Sequence, residues 1–189
     1  MSQLLKLGID VNFVVTREGN AKGYFPLIIA AQEGHVEVVR LLLAAEGVSV
    51  NQARTQDGNF PLFTACQNNH VEVVRLLLAF KGVSVNKAMD DSCFPLYMAC
   101  EKNHVEVVRL LLAAHAQVNQ VNDGGWSACH TAARYGHVQV LEMLLEAGAG
   151  VELKSDSGVT ALDLAINFKH PAAEAVIRKS LSRSAGGPD

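Results

Sequence analysis

Positive charge is the first thing this sequence lacks. Sixteen Lys and Arg stand against nineteen Asp and Glu, a net charge of −3 over 189 residues. No global positive field exists to hold nucleic acid or an anionic membrane. Long apolar runs are missing too. The longest, such as Leu41 to Ala45, stop after a handful of residues, where a membrane helix needs about 18 or more. The opening Met1-Ser2-Gln3-Leu4-Leu5-Lys6 has no basic region followed by an apolar core, so no secretory signal is expected there. Four cysteines without such a signal point to free thiols in an intracellular compartment, cytoplasmic or nuclear. There is no glycine-rich phosphate loop, no His-Glu-x-x-His and no paired-cysteine motif. No enzyme activity and no cofactor are expected.

What the sequence has is a period. His35, His70, His104, His137 and His170 are separated by 35, 34, 33 and 33 residues. Nine residues before each stands Pro26, Pro61, Pro95, Ala128 or Ala161. Two independent markers keeping one step mean a repeat array, and a period in the low thirties selects a small set of helical repeats. Such units stack into an open rod whose exposed face usually binds something.

Each unit reads as hairpin, short helix, turn, longer helix, loop. In one of them Asp57-Gly58-Asn59 is a turn signal. Pro61 opens the first helix at the position where its missing N–H costs nothing. Leu62, Ala65 and Cys66 recur at helical spacing, and Asn68-Asn69-His70 breaks the helix. Val71 to Leu78 forms the second helix, apolar nearly all round except Glu72 and Arg75, as befits a helix covered on three sides. Gly82 supplies its left-handed end.

These runs resemble ankyrin repeats, whose signature is Thr-Pro-Leu-His-x-Ala-Ala, then Gly-His, Val-Val-x-x-Leu-Leu and Gly-Ala-x-x-Asn. The matching stretches begin Phe25-Pro26-Leu27, Phe60-Pro61-Leu62, Phe94-Pro95-Leu96, Ser127-Ala128-Cys129 and Thr160-Ala161-Leu162. The resemblance covers about residues 4 to 181. It implies an all-α solenoid of helix-turn-helix units with protruding hairpin loops, forming a single domain over 1–181. Its expected parts are an amino-terminal half repeat (1–12), full repeats at 13–51, 52–86, 87–119 and 120–152, and a capping repeat at 153–181. Residues 182–189 are expected to form a disordered tail. The first hairpin should be longer than the others, around Arg17 to Lys22.

Departures from the signature carry information. Phe25, Phe60 and Phe94 stand where the family has threonine. A ring cannot accept the N-cap hydrogen bond, a loss of about 1 kcal/mol, so its burial must offset that. His115 stands where other units have glycine, and a left-handed backbone is expected there.

Several constellations have a functional and a structural reading. Five periodic histidines suggest metal, but equivalent residues of packed helices lie roughly 8–10 Å apart, too far to share one ion. No metal site is expected; the resemblance implies hydrogen bonds to neighbouring backbone at the turn. The same spacing argues against a disulfide between Cys66 and Cys100. Cys93, at a hairpin, is expected to be the exposed thiol. Cys129, His130 and Asp163 could be imagined as a catalytic set, yet adjacent helix residues diverge. Glu37/Arg40, Glu72/Arg75 and Glu106/Arg109 read as solvated pairs.

The surface the resemblance assigns to recognition is the hairpin tips and the open face of the first helices. Here that means Tyr24, Gln32 and Glu33; Gln56, Asp57, Asn59, Gln67 and Asn68; Asp90, Asp91, Cys93, Glu101 and Lys102; Asp123, Trp126, Arg134 and Tyr135; Asp156, Asn167 and Phe168. Trp126, the sole tryptophan, gathers with Arg134, Tyr135 and Phe168 in the last two units; such residue types dominate binding hot spots. Its offset from Gly125 puts Trp126 on the hairpin rather than in the core. Asp57, Asp90, Asp91, Asp123 and Asp156 line the tips and would favour a basic partner; aspartate is also a common turn former.

The expected function is non-catalytic recognition of a protein or peptide, by a monomer, with no nucleic acid and no membrane. A rival reading makes the array the regulatory or targeting segment of a larger enzyme. A third makes Asn51, Asn86 and Asn119 substrates of the oxygen-dependent hydroxylation that some ankyrin proteins undergo. The unequal steps argue against an idealised design.

Overall fold

The computed structural model describes residues 12, 15–17 and 20–185, with side chains for Asn12 and from Phe25 to Arg183. Apart from Asn12, the expected half repeat lies outside the described residues. A hairpin comes first: β1 (Val15–Arg17) pairs antiparallel with β2 (Asn20–Tyr24), Val15 facing Tyr24. This is the stretch expected to be longer than the later hairpins. Five helix pairs follow: α1 (Pro26–Gln32) with α2 (Val36–Leu43), α3 (Pro61–Gln67) with α4 (Val71–Ala79), and α5 (Pro95–Glu101) with α6 (Val105–Ala113). Then come α7 (Ala128–Tyr135) with α8 (Val138–Glu146) and α9 (Ala161–Asn167) with α10 (Pro171–Ala185). Helix α10 runs four residues past 181, so Ser182 to Ala185 are helical rather than tail.

Apolar spacing and small residues put these helices side by side. Ala65, Ala99, Ala132 and Ala165 are wholly buried, which lets backbones approach closely. Leu77, Leu111, Leu144 and Ile177 are wholly buried on the second helices. Burying each such side chain contributes roughly 1.5–3 kcal/mol, and one continuous core runs from Leu27 to Ile177. First helices stack on first helices and second on second, so each unit leans on its neighbour.

The phenylalanine N-caps behave as their chemistry requires. Phe25, Phe60 and Phe94 make no side-chain cap bond, and their rings are 5%, 0% and 1% exposed. Ser127 and Thr160 instead close capping boxes with His130 and Asp163.

Two polar ladders tie unit to unit. Ring N–H groups of His70, His104, His137 and His170 donate to the carbonyls of Gln32, Gln67, Glu101 and Arg134, at 2.8, 3.2, 3.1 and 3.0 Å. The periodic histidines thus act as inter-unit struts. Loop asparagines form the second ladder. Asn51 donates to Gly82 O and accepts from Ser84 N–H, at 2.7 and 2.8 Å. Asn86 accepts from Gln117 N–H at 2.8 Å, and Asn119 links to Gly148 and Gly150. Asn12 makes the same clamp onto Gly47 and Ser49.

The hairpin ends are equivalent but not identical. Met89 N–H donates to Cys93 O, Asn122 to Trp126 O and Ser155 to Val159 O. In the unit before them Arg54 N–H donates to Asn59 O, a closure one residue wider. That residue supplies part of the extra length in the 35-residue step.

Candidate protein-binding surface

From Arg54 onward the hairpins form a continuous edge, because each bonds to the next. Asp90 N–H donates to Asp57 O at 3.2 Å and Asp156 N–H to Gly124 O at 3.1 Å. Gly58 and Gly125 adopt φ of +70° and +73°, and a Cβ at either would come within 2.8 Å of the Asp90 or Asp156 carboxylate and backbone. Glycine is therefore what lets the tips close up.

The aspartates divide by environment. Asp57 pairs closely with Arg54 and accepts the Asn59 N–H. The Arg54 guanidinium holds its carboxyl below the usual range, and the ion pair offsets its charge. Asp91 accepts the Cys93 N–H at 3.0 Å, and Asp123 accepts the Ser92 hydroxyl. These bonds leave the Asp90, Asp91, Asp123 and Asp156 side chains exposed.

Helix ends supply the other side of the surface. Arg134 lies between two rings, its guanidinium carbon 5.7 Å from the Tyr135 centroid and 5.2 Å from that of Phe168. Tyr135 also stacks on His137, at 5.8 Å and 19°. Tyr135 is 44% and Phe168 49% exposed, so two apolar rings with a cation between them face outward. His137 and His170, whose rings are held by their carbonyl bonds, anchor this group from beneath.

Trp126 is not part of that sandwich. It is half-buried and packs against the core, its ring edge-on to buried His130 at 5.5 Å and 89°. A hairpin position alone would leave the ring free; instead the indole lies against α7, the helix that follows it. Asn59, at the matching place, lies in the interior rather than on the surface, at 8% exposure. Cys93 is half-buried rather than exposed, and burial pushes its thiol up to about 11. Gln56, Asn68, Lys102 and Asn167 are exposed, as are Gln32 and Glu33, while Gln67 and Glu101 are half-buried. Tyr24 ends β2, and its side chain lies outside the described ones.

Between these residues, on the amino-terminal half of the surface, lies a concavity of about 630 Å³. Gln32, Asn59, Thr64, Gln67 and Asn68 line it, with Arg54, Lys102 and His104. Nothing in the spacing signals it, since it forms from three successive units.

The imagined catalytic set is not built. The Cys129 thiol is buried and pushed up to about 12. His130 accepts the Ser127 N–H at Nδ1, and its Nε2–H donates to Val159 O at 3.1 Å. Asp163 accepts the Thr160 N–H and hydroxyl. All three groups are consumed by helix ends or by the core. Cys66 and Cys100 are free and buried. Among the described residues no helix is long and apolar enough to cross a membrane.

A family model described as ankyrin repeats (three copies) matches residues 1–88, 43–122 and 96–182. No significant match was found among curated proteins.

Proposed function

The chain belongs to the ankyrin-repeat family, and from that premise we propose that it binds a partner protein through its hairpin tips and first-helix ends. Ankyrin repeats are generally protein–protein interaction modules and typically non-catalytic. The observation that carries the reading is the outward-facing sandwich of Tyr135, Arg134 and Phe168. Rings and guanidinium already stacked lose little freedom on binding, which is what an anchor needs. Trp126 contributes its exposed edge only. Aspartates at the tips of the later units steer a basic stretch of the partner toward the surface. The module acts as a monomer, without cofactor or metal, in an intracellular setting.

Selection of binders from a randomised peptide library displayed against the whole chain tests this. A selected peptide should lose about 2 kcal/mol or more, roughly thirty-fold in Kd, when Arg134, Tyr135 and Phe168 are all replaced by alanine. Unchanged affinity would place recognition elsewhere.

A further inference from the structure

The cation in the aromatic sandwich is one that the fold does not call for. Arg134 lies in the last turn of helix α7, and Gln32, Gln67, Glu101 and Asn167 hold the same place in the other units. What the array uses there is the backbone. Each histidine strut takes the carbonyl of this residue and leaves its side chain alone. The rings are as local as the charge: Tyr135 and Phe168 stand where the three earlier units have Glu33, Asn68 and Lys102. A cation near a helix C-terminus is favourable by itself, but that effect needs no ring on either side of it.

The guanidinium has no acceptor within the chain. Arg134 is exposed and makes no ion pair or side-chain hydrogen bond among the described residues. Acids on the flanking first helices do not take it up. Asp163 is bonded to Thr160, and Glu101 forms no ion pair with it. Its N–H donors stay charged at every working pH. Rings at 5.7 and 5.2 Å restrict this long side chain and screen it from water. What a partner meets is the open edge of a guanidinium already held in place.

We propose that Arg134 receives a carboxylate, the side chain of an aspartate or glutamate in the bound partner segment. The guanidinium edge donates to it in a two-bond fork while Tyr135 and Phe168 flank the pair. The inference rests on the protein-binding reading of this surface and gives the partner its chemistry. Asp123 and Asp156 are exposed at the hairpin tips of the same two units. The segment therefore carries an acid for the helix ends and a base for the tips. A segment of one charge sign satisfies one of these rows and is repelled by the other.

Peptides selected on the whole chain, labelled with a fluorophore and followed by anisotropy, test the pairing. An acidic residue should recur at one position, and its change to the amide should weaken binding at least tenfold. Arg134→Gln places the residue that two other units carry there, so the melting temperature should stay within about 2 °C. Binding of the acidic peptide should nevertheless fall at least tenfold. Arg134→Lys, which keeps the charge but not the fork, should fall nearly as far. On Arg134→Gln the acidic peptide and its amide version should bind alike, because the coupling partner is gone. Peptides without a recurrent acid, or an acid-to-amide loss that is the same on Arg134→Gln as on the parent, would overturn the pairing. Either result, with Tyr135→Ala and Phe168→Ala still weakening binding, would overturn it while sparing the wider surface. A selection that yields no binder would defeat both.

Discussion

The His170 ring lies across Gly136, so close that a Cβ on that glycine would stand 2.6 Å from Nδ1. The same ring donates through Nε2 to Arg134 O at 3.0 Å. One histidine thus braces the last unit on the one before it and holds the residue that carries the aromatic sandwich. Gly34 and His70 repeat this close approach at the other end of the array.

Gly136→Ala should therefore be costly. Its φ is +70°, and strain there together with displacement of the ring amounts to about 1–3 kcal/mol. Thermal melts should fall by roughly 2–4 °C per kcal/mol. His170→Ala combined with Gly136→Ala should cost less than the sum, because the clash partner is gone. Strict additivity would show that the two do not meet.

His115 has φ of +60°, the left-handed backbone that glycine adopts at Gly47, Gly82 and Gly148. A non-glycine residue there is strained by about 1 kcal/mol. His115→Gly should raise the melting temperature by a few degrees. A lower value would mean that the imidazole makes a compensating contact.

Removing one rung of the asparagine ladder should loosen one junction. Asn51→Ala deletes two bonds, to Gly82 O and from Ser84 N–H, each worth about 0.5–1.5 kcal/mol net. Hydrogen exchange at Ser84 should accelerate while that at Leu144 stays put. Uniform acceleration would mean the array opens only as a whole.

Thiol chemistry should separate the four cysteines. Cys93 alone is partly accessible, and its alkylation rate should go on climbing with pH up to about 11. Cys66, Cys100 and Cys129 should react only on unfolding. Mass spectrometry of the labelled native protein checks the order; early labelling of Cys129 would contradict its burial.

Acid should weaken the fold in two windows. Burial lowers the His130 pKa, so the unfolded chain takes up a proton that the folded one refuses. Stability from this site is full above about pH 6.5 and declines as pH falls below it. Asp57 and Asp163 are lowered by Arg54 and Thr160 respectively. Their contribution is present above the ordinary carboxylate value and lost as pH falls through the folded one. Urea melts of His130→Gln should lack the first decline and keep the second.

Most of the fold was legible because it is written locally and written five times. Pro61 at a helix start, Gly136 at a helix end and Leu77 on an apolar face each state their place within a dozen residues. The buried phenylalanine caps followed from their inability to accept a cap bond. The candidate surface was legible only in outline. Arg134, Tyr135 and Phe168 do meet, but they join two units through a contact no spacing encodes.

By itself the sequence determined the period, the helix pairs and the stacking order, since each rests on propensity and pattern within one unit. The tertiary structure alone decided which hairpin residues face water. Asn59, Cys93 and Trp126 occupy matching places, yet one buries an unpaired oxygen, one half-hides a thiol and one leans its indole on His130. The difference comes from the packing around each hairpin, which only the folded array sets.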